Sequence, residues 1–218
     1  TCALPIYPTT GARAVPIYQT SSYVFDSADH AASLFNLQTT GFIYSRIMNP
    51  TVAVLEERIA ALEGGRGATA CASGHAAQIL ALFPLMNPGD EFVASNKLYG
   101  GSVTQFSQTF KKFGWNVRFV DTDDLVAVKA AVSEKTKAVF TECLSNPGGV
   151  VVDIEALARI AHDAKAPLIV DNTLATPYLL QPIRYGADLI VHSTTKFLSG
   201  TGTTIGGVVV DSGQFDWN

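Results

Sequence analysis

Three hydroxyls, Ser193, Thr194 and Thr195, lead into a single cation, Lys196, and then into a glycine-rich stretch, GTGTTIGG, at 200–207. The residues before them, ADLIV, read as a buried strand. A lysine in a loop is most often a solvated surface cation. At the end of a buried strand it is expected to be desolvated, which loosens its proton and makes the amine a nucleophile toward aldehydes. Asp171 ends a second such strand, PLIVD, 25 residues earlier. A lone strand-end carboxylate is ordinarily a salt-bridge partner or a helix cap, because an unpaired buried charge is expensive. The interval holds one loop and one further strand, so Asp171 and Lys196 are within reach of one cleft.

Ser193 and Thr195, two residues apart, can face one phosphate. So can the backbone amides of Ser73, Gly74 and His75 where a helix is expected to start. Tyr99, in KLYGG, reads equally well as an aromatic face for a flat ring or as a packed surface tyrosine. Asn146, in LSNPGG, also fits a simple turn before Pro147. An aldehyde, a phosphate and a cationic aromatic nitrogen are the three handles of pyridoxal 5′-phosphate. A lysine Schiff base with an acidic partner for the pyridinium nitrogen marks the sites that hold it. These residues therefore point to pyridoxal 5′-phosphate as the cofactor.

The elements that must position them follow from periodicity. Short apolar strands are predicted at 68–73, 91–95, 116–120, 137–142, 167–171, 188–192 and 206–211. Helical patterns separate most of them: HAAQILALF, SVTQFSQTFKKF, DLVAVKAAV and DIEALARIAHDA. This alternation predicts an α/β fold with a mostly parallel sheet covered on both faces. Ligands of such sheets collect at the carboxyl ends of the strands, where almost every suggestive polar residue falls. Before the sheet, Asn49 and Pro50 start a helix with Val52, Leu55, Ile59 and Leu62 on one face, stopped by Gly64 and Gly65. Residues 1–48 read as an extended N-terminal arm, and 49–218 as one cofactor-binding domain. The arm's aromatics, among them Tyr18, Tyr23 and Phe42, argue against a disordered tail.

The 218 residues, 47% hydrophobic and 16% charged, suit one sizeable globular domain or one and a part. A net charge of -4 offers no footprint for nucleic acid or an anionic membrane. Cys2, Cys71 and Cys143 are scattered, which fits a reducing, cytoplasmic setting better than a disulfide framework. No signal peptide or apolar span is visible, and the first residue, Thr1, suggests that the natural N-terminus lies upstream. The four histidines, His30, His75, His162 and His192, lack ligand spacing, so no metal site is expected. GTGTTIGG misses the dinucleotide fingerprint in both spacing and context.

YSRIMNPT, ASGHAA, KLYGG, SNPGG, VDNTLATPY and HSTTKF, in this order, resemble the Cys/Met-metabolism family of pyridoxal-phosphate enzymes over nearly the whole chain. The resemblance implies the fold type I large domain of the aspartate-aminotransferase kind. It implies that Lys196 bonds the cofactor aldehyde, that Asp171 keeps the pyridine nitrogen protonated and that Tyr99 stacks on the ring. It further implies that Asn146 meets the phenolic oxygen and that Ser73, Gly74, His75, Ser193 and Thr195 form the phosphate cup. Tyr44 and Arg46 match a pair that reaches the phosphate of a neighbouring subunit, which implies a homodimer or homotetramer. From its surroundings alone Arg46 reads as a surface salt bridge. KLYGGSVTQF, SNPGGVVVDIEALARIAH and GGVVVDSGQFDW are most similar to O-acetylhomoserine sulfhydrylases, and Gly101 stands where methionine γ-lyases commonly carry cysteine.

The activity so implied is γ-replacement, in which O-acetylhomoserine and sulfide or a small thiol give homocysteine or methionine and acetate. Methionine γ-lyase, cystathionine γ-synthase or cystathionine lyase chemistry, and an inactive truncated fragment, are the alternatives. Family members are longer, with a C-terminal domain that carries the arginine for the substrate carboxylate. None of Arg13, Arg66, Arg118 or Arg184 matches that arginine by motif.

Overall fold

The computed structural model describes residues 12–217. The start of the expected arm, with Cys2, lies outside the described residues. Two compact units divide the chain, Thr1–Arg58 and Ile59–Asn218. In the first, α1 (Ala28–Phe35) is capped by Ser27, whose hydroxyl accepts the His30 N–H at 3.0 Å. Asn49 caps α2 (Pro50–Glu63) by accepting the Thr51 N–H at 2.9 Å, as its sequence position predicts. The same side chain donates to the Tyr18 carbonyl at 2.9 Å and the Ser45 hydroxyl at 3.0 Å, tying distant stretches of the segment together. The Tyr23 and Phe42 rings pack 5.4 Å apart.

Of the predicted apolar face of α2, only Ile59 is buried. Val52, Leu55 and Leu62 are exposed, while Ile59, Ala60 and Glu63 are buried. The reason is polar: the last turn brings Glu63 to His192 and Asn172, and that pairing sets which face turns inward.

The second unit is a seven-stranded sheet of β1 (Gly67–Cys71), β2 (Glu91–Ser95), β3 (Asn116–Val120), β4 (Thr136–Glu142), β5 (Leu168–Asp171), β6 (Leu189–His192) and β7 (Gly207–Asp211), ordered β1-β7-β6-β5-β4-β2-β3. The β2–β3, β2–β4, β4–β5 and β5–β6 pairings are parallel, and β7 runs antiparallel to both β1 and β6. Successive side chains go to opposite faces. Leu168, Val170 and Ile190 enter a core with Leu157 and Ala161 of α6 (Ile154–Asp163). Ile169, Leu189 and Val191 enter another with Ala77 and Leu82 of α3 (Gly74–Leu82). Each fully buried Leu, Ile or Val contributes about 1.5–3 kcal/mol, so strands buried on both sides read as continuous apolar runs.

The expected helix after KLYGG forms in three pieces: α4 (Gly100–Thr104), a π-helical turn (Gln105–Thr109) and a 3-10 turn (Phe110–Phe113). The insertion faces Phe106 and Phe110 into the core, where Phe106 packs 4.9 Å from Phe140 and 5.1 Å from Phe92. Val128 of α5 (Leu125–Ala131) joins the core on the α6 side. No helix among the described residues is long and apolar enough to cross a membrane.

Candidate active site

The carboxyl ends of β1, β4, β5 and β6 open on one cavity of about 830 Å³. Nine residues singled out by sequence line it: Ser73, Gly74, His75, Tyr99, Asn146, Asp171, Ser193, Thr195 and Lys196. The parallel order brings together loops that are far apart in the chain.

Gly74 opens α3 directly behind Ser73, whose hydroxyl caps the helix by accepting the Ala76 N–H at 3.1 Å. A Cβ on Gly74 would stand 2.7 Å from Ser193 Cβ, so the helix start and the end of β6 meet only because residue 74 is glycine. This contact sets the free amides of the α3 N-terminus beside Ser193, a ready anion site. The Thr195 hydroxyl is already engaged, donating to the Gly206 carbonyl at 3.2 Å and accepting the Gly206 N–H at 3.1 Å.

Asp171 Oδ1 accepts both the Thr173 N–H at 3.0 Å and the Thr173 hydroxyl at 2.5 Å. Burial pushes the Asp171 carboxyl above the usual carboxylate range, against the pull of the Thr173 bonds, the His192 charge and the Gln78 side chain. Thr173 oxygen in turn accepts the Ser193 N–H at 2.8 Å. Behind these loops Glu63 and His192, neither with any exposed surface, pair at 2.5 Å, and Asn172 donates to the same Glu63 oxygen at 2.8 Å. The residues flanking Asp171 and Ser193 are thus anchored in the interior.

Lys196 departs from expectation. It lines the cavity but is exposed. Tyr99, half exposed, stacks on His75 with ring centres 6.1 Å apart and planes 28° apart. A Cβ on Gly101 would lie 2.4 Å from the Tyr99 ring and 2.9 Å from His75, so that stack requires glycine at 101. Tyr44 and Arg46 belong to the first unit. There the Arg46 guanidinium lies 5.4 Å from the centre of the Tyr44 ring.

Sequence reasoning missed Glu142, Thr173, Gln78 and Ser102, all of which line the cavity. Glu142 read as the last residue of a strand, yet its oxygens accept the backbone N–H groups of Tyr99 at 2.7 Å and Asn146 at 3.0 Å. Burial, with the Asp171 charge adding to it, pushes Glu142 up to about 7. Gln78 donates to the Ser102 hydroxyl at 2.8 Å and carries a buried amide oxygen without a partner. Motif spacing carries no signal for any of the four.

The donor set fits pyridoxal phosphate: an amine, a carboxylate, a helix N-terminus with a hydroxyl, and an aromatic face line one cavity. Among the described residues no cluster could hold a metal ion.

Comparison with known proteins agrees. Residues 6–218 match the family described as Cys/Met metabolism PLP-dependent enzyme. The chain is 51% identical over 210 residues to O-acetyl-L-homoserine sulfhydrylase of Leptospira meyeri, covering 96% of this chain and 48% of that protein. It is 52% identical over 206 residues to homocysteine/cysteine synthase of Saccharomyces cerevisiae, covering 94% and 46%. A Campylobacter jejuni structure named as an O-acetylhomoserine (thiol)-lyase, with N'-pyridoxyl-lysine-5'-monophosphate, superposes with a TM-score of 0.93 at 46% identity, covering 95% and 51%. Cystathionine gamma-lyase from Lactobacillus plantarum, complexed with L-serine, superposes with a TM-score of 0.86 at 38% identity, covering 94% and 51%. The chain spans about half the length of the curated relatives it matches. With its strand-end lysine and aspartate on one cavity and a family match from residue 6 onward, the chain belongs to the Cys/Met-metabolism PLP-dependent enzymes.

Proposed function

We propose that this chain holds pyridoxal 5′-phosphate in the strand-end cavity and that the enzyme carrying it performs γ-replacement on O-acetylhomoserine. Sulfide or a small thiol is the second substrate. The observation that carries the reading is the convergence of Lys196, Asp171, Tyr99, Asn146 and the Gly74–Ser193 contact on one cavity. The names of the relatives supply the substrate class.

When bound, pyridoxal phosphate supplies an electron sink for negative charge at the substrate α-carbon. Lys196 is the amine that bonds its aldehyde. Once the substrate amine takes that place, Lys196 Nζ is free to accept the α-proton. Asp171 presents its charge to the pyridine nitrogen, held in place by the two bonds from Thr173. The amides opening α3 and the Ser193 side chain bind the phosphate, and Thr195, with its hydroxyl committed to Gly206, contributes through the backbone. Asn146 meets the phenolic oxygen. Tyr99 covers the ring face and is the second group able to move a proton.

In the reaction the γ-carbon loses acetate, which leaves with the C–O electron pair. The thiol sulfur forms the new C–S bond, and the thiol proton balances the products as acetic acid and homocysteine or its thioether. Lys196 is exposed, so the chemistry needs a cover that excludes water. A second copy of the chain, bringing its Tyr44 and Arg46, is the cover we propose, as a homodimer or a pair of dimers. The exposed Tyr44 and the cationic Arg46 above it support that reading. Cys71 and Cys143 are free thiols, which suits the cytoplasm.

The test is substrate choice in the enzyme carrying this chain. O-acetylhomoserine with sulfide is expected to give homocysteine and acetate, with methionine alone a poor substrate. Equal or faster consumption of methionine alone contradicts γ-replacement and moves the assignment to elimination.

A further inference from the structure

Glu142 ends β4, and both of its oxygens are used: Oε1 accepts the Tyr99 N–H at 2.7 Å and Oε2 the Asn146 N–H at 3.0 Å. One carboxylate therefore joins two loops, KLYGG after β2 and SNPGG after β4. These carry the tyrosine read as the ring cover and the asparagine read as the partner of the phenolic oxygen. Glu142 is 6% exposed and lines the same cavity. Its register partner is Asp171, so two carboxyl groups stand side by side at the ends of adjacent strands.

That arrangement opposes the charge it needs. An amide side chain has only one acceptor oxygen, so two N–H donors converging on one side chain call for a carboxylate. Burial next to another acid works against that carboxylate. Strand-end charges kept against such a penalty cluster at functional sites.

We propose that the charged Glu142 carboxylate is a positioning residue for the cofactor, setting the Tyr99 ring and the Asn146 side chain together in their places around the pyridine ring. The proposal rests on the cofactor reading above. In a protonated Glu142 one of the two oxygens becomes a hydroxyl, a poorer acceptor, so the N–H facing it is held more weakly and that loop is partly released. Because burial holds Glu142 at about 7, this release falls within the ordinary assay range. The titratable groups around it are Asp171 from β5 and Cys143, the next residue after β4, whose thiol burial pushes up to about 12. His75 at the start of α3, Tyr99 and Lys196 share the cavity.

The experiment is a pyridoxal phosphate titration of the apoprotein, followed by absorbance, for wild type, Glu142→Gln and Glu142→Ala. It is run at about pH 8 and about pH 6, on either side of the Glu142 value. Thermal melts confirm that each protein is folded. At the higher pH both variants should bind about tenfold more weakly than wild type. At the lower pH the ratio of wild type to Glu142→Gln should shrink toward one. Taking the ratio cancels groups that titrate in both proteins, the cofactor phosphate included. Wild-type binding with unaffected variants, or a ratio that does not change with pH, overturns the positioning role alone. Failure of wild type to bind at all overturns the cofactor reading and this proposal with it.

Discussion

Thr173 couples Asp171 to Ser193 through one oxygen atom: its hydroxyl donates to Asp171 Oδ1 at 2.5 Å and accepts the Ser193 N–H at 2.8 Å. The carboxylate proposed for the ring nitrogen and the loop proposed for the phosphate are thus locked to one another, and a ligand gripping both ends meets a preset span. Thr173→Val keeps the shape and removes both bonds. It should weaken pyridoxal phosphate binding about tenfold and lower stability by about 1–2 kcal/mol. Cofactor titration alongside a denaturant melt checks both, and unchanged affinity would show that the span is set elsewhere.

Glu142 makes the stability of the cofactor-free protein depend on pH. Its folded value is raised from 4.5 to about 7, so the folded state binds more protons than the unfolded state in between. The stabilising contribution is complete below the unfolded value and is lost as pH rises through the folded one. Asp171, also raised, acts in the same direction. The Glu142 share is at most about 3 kcal/mol. Urea melts of the apoprotein from about pH 5 to 8 should show wild type losing more stability than Glu142→Gln. Parallel curves for the two proteins would remove Glu142 from the account.

The Glu63–His192 pair is the interior support of the site loops. With both side chains fully buried, removing one strands the other. Glu63→Ala should therefore cost about 3–5 kcal/mol, and Glu63→Gln, which retains a partner for Asn172, clearly less. Thermal or denaturant unfolding of the three proteins decides this. Equal stabilities would mean that water or repacking replaces the pair.

Gly74 offers a test of the phosphate end alone. An added methyl must push Ser193 away, since its Cβ would lie 2.7 Å from Ser193 Cβ. Gly74→Ala should weaken pyridoxal phosphate more than pyridoxal, which has no phosphate to lose. An equal loss for both ligands would place the phosphate away from the α3 N-terminus.

The fold was legible because β-branched runs buried on both faces leave a continuous apolar signature, and four of the parallel strands, β2, β4, β5 and β6, end on a polar residue at the functional edge. Lys196, Asp171 and the SGH turn stood out because each ends or follows an apolar strand, at the edge where ligands of such sheets collect. Glu142 did not, because nothing in KAVFTE distinguishes a carboxylate facing solvent from one gripping two distant amides. Thr173 was hidden for the same reason, since its worth lies in a bond to a loop 20 residues away. The apolar stripe of α2 misled because the helix turns on a buried polar pair. The antiparallel course of β7 left no trace in its composition. Exposure of Lys196 depends on what covers the cavity, and no local pattern encodes that.

The central claim is that Lys196 is the amine that bonds the cofactor aldehyde. The direct measurement is to mix the protein with pyridoxal phosphate, reduce with borohydride, digest, and locate the pyridoxyl label by mass spectrometry. The account predicts the label on the peptide containing Lys196 and its loss in Lys196→Ala. A label on another lysine, or an unaltered yield in that variant, would contradict it.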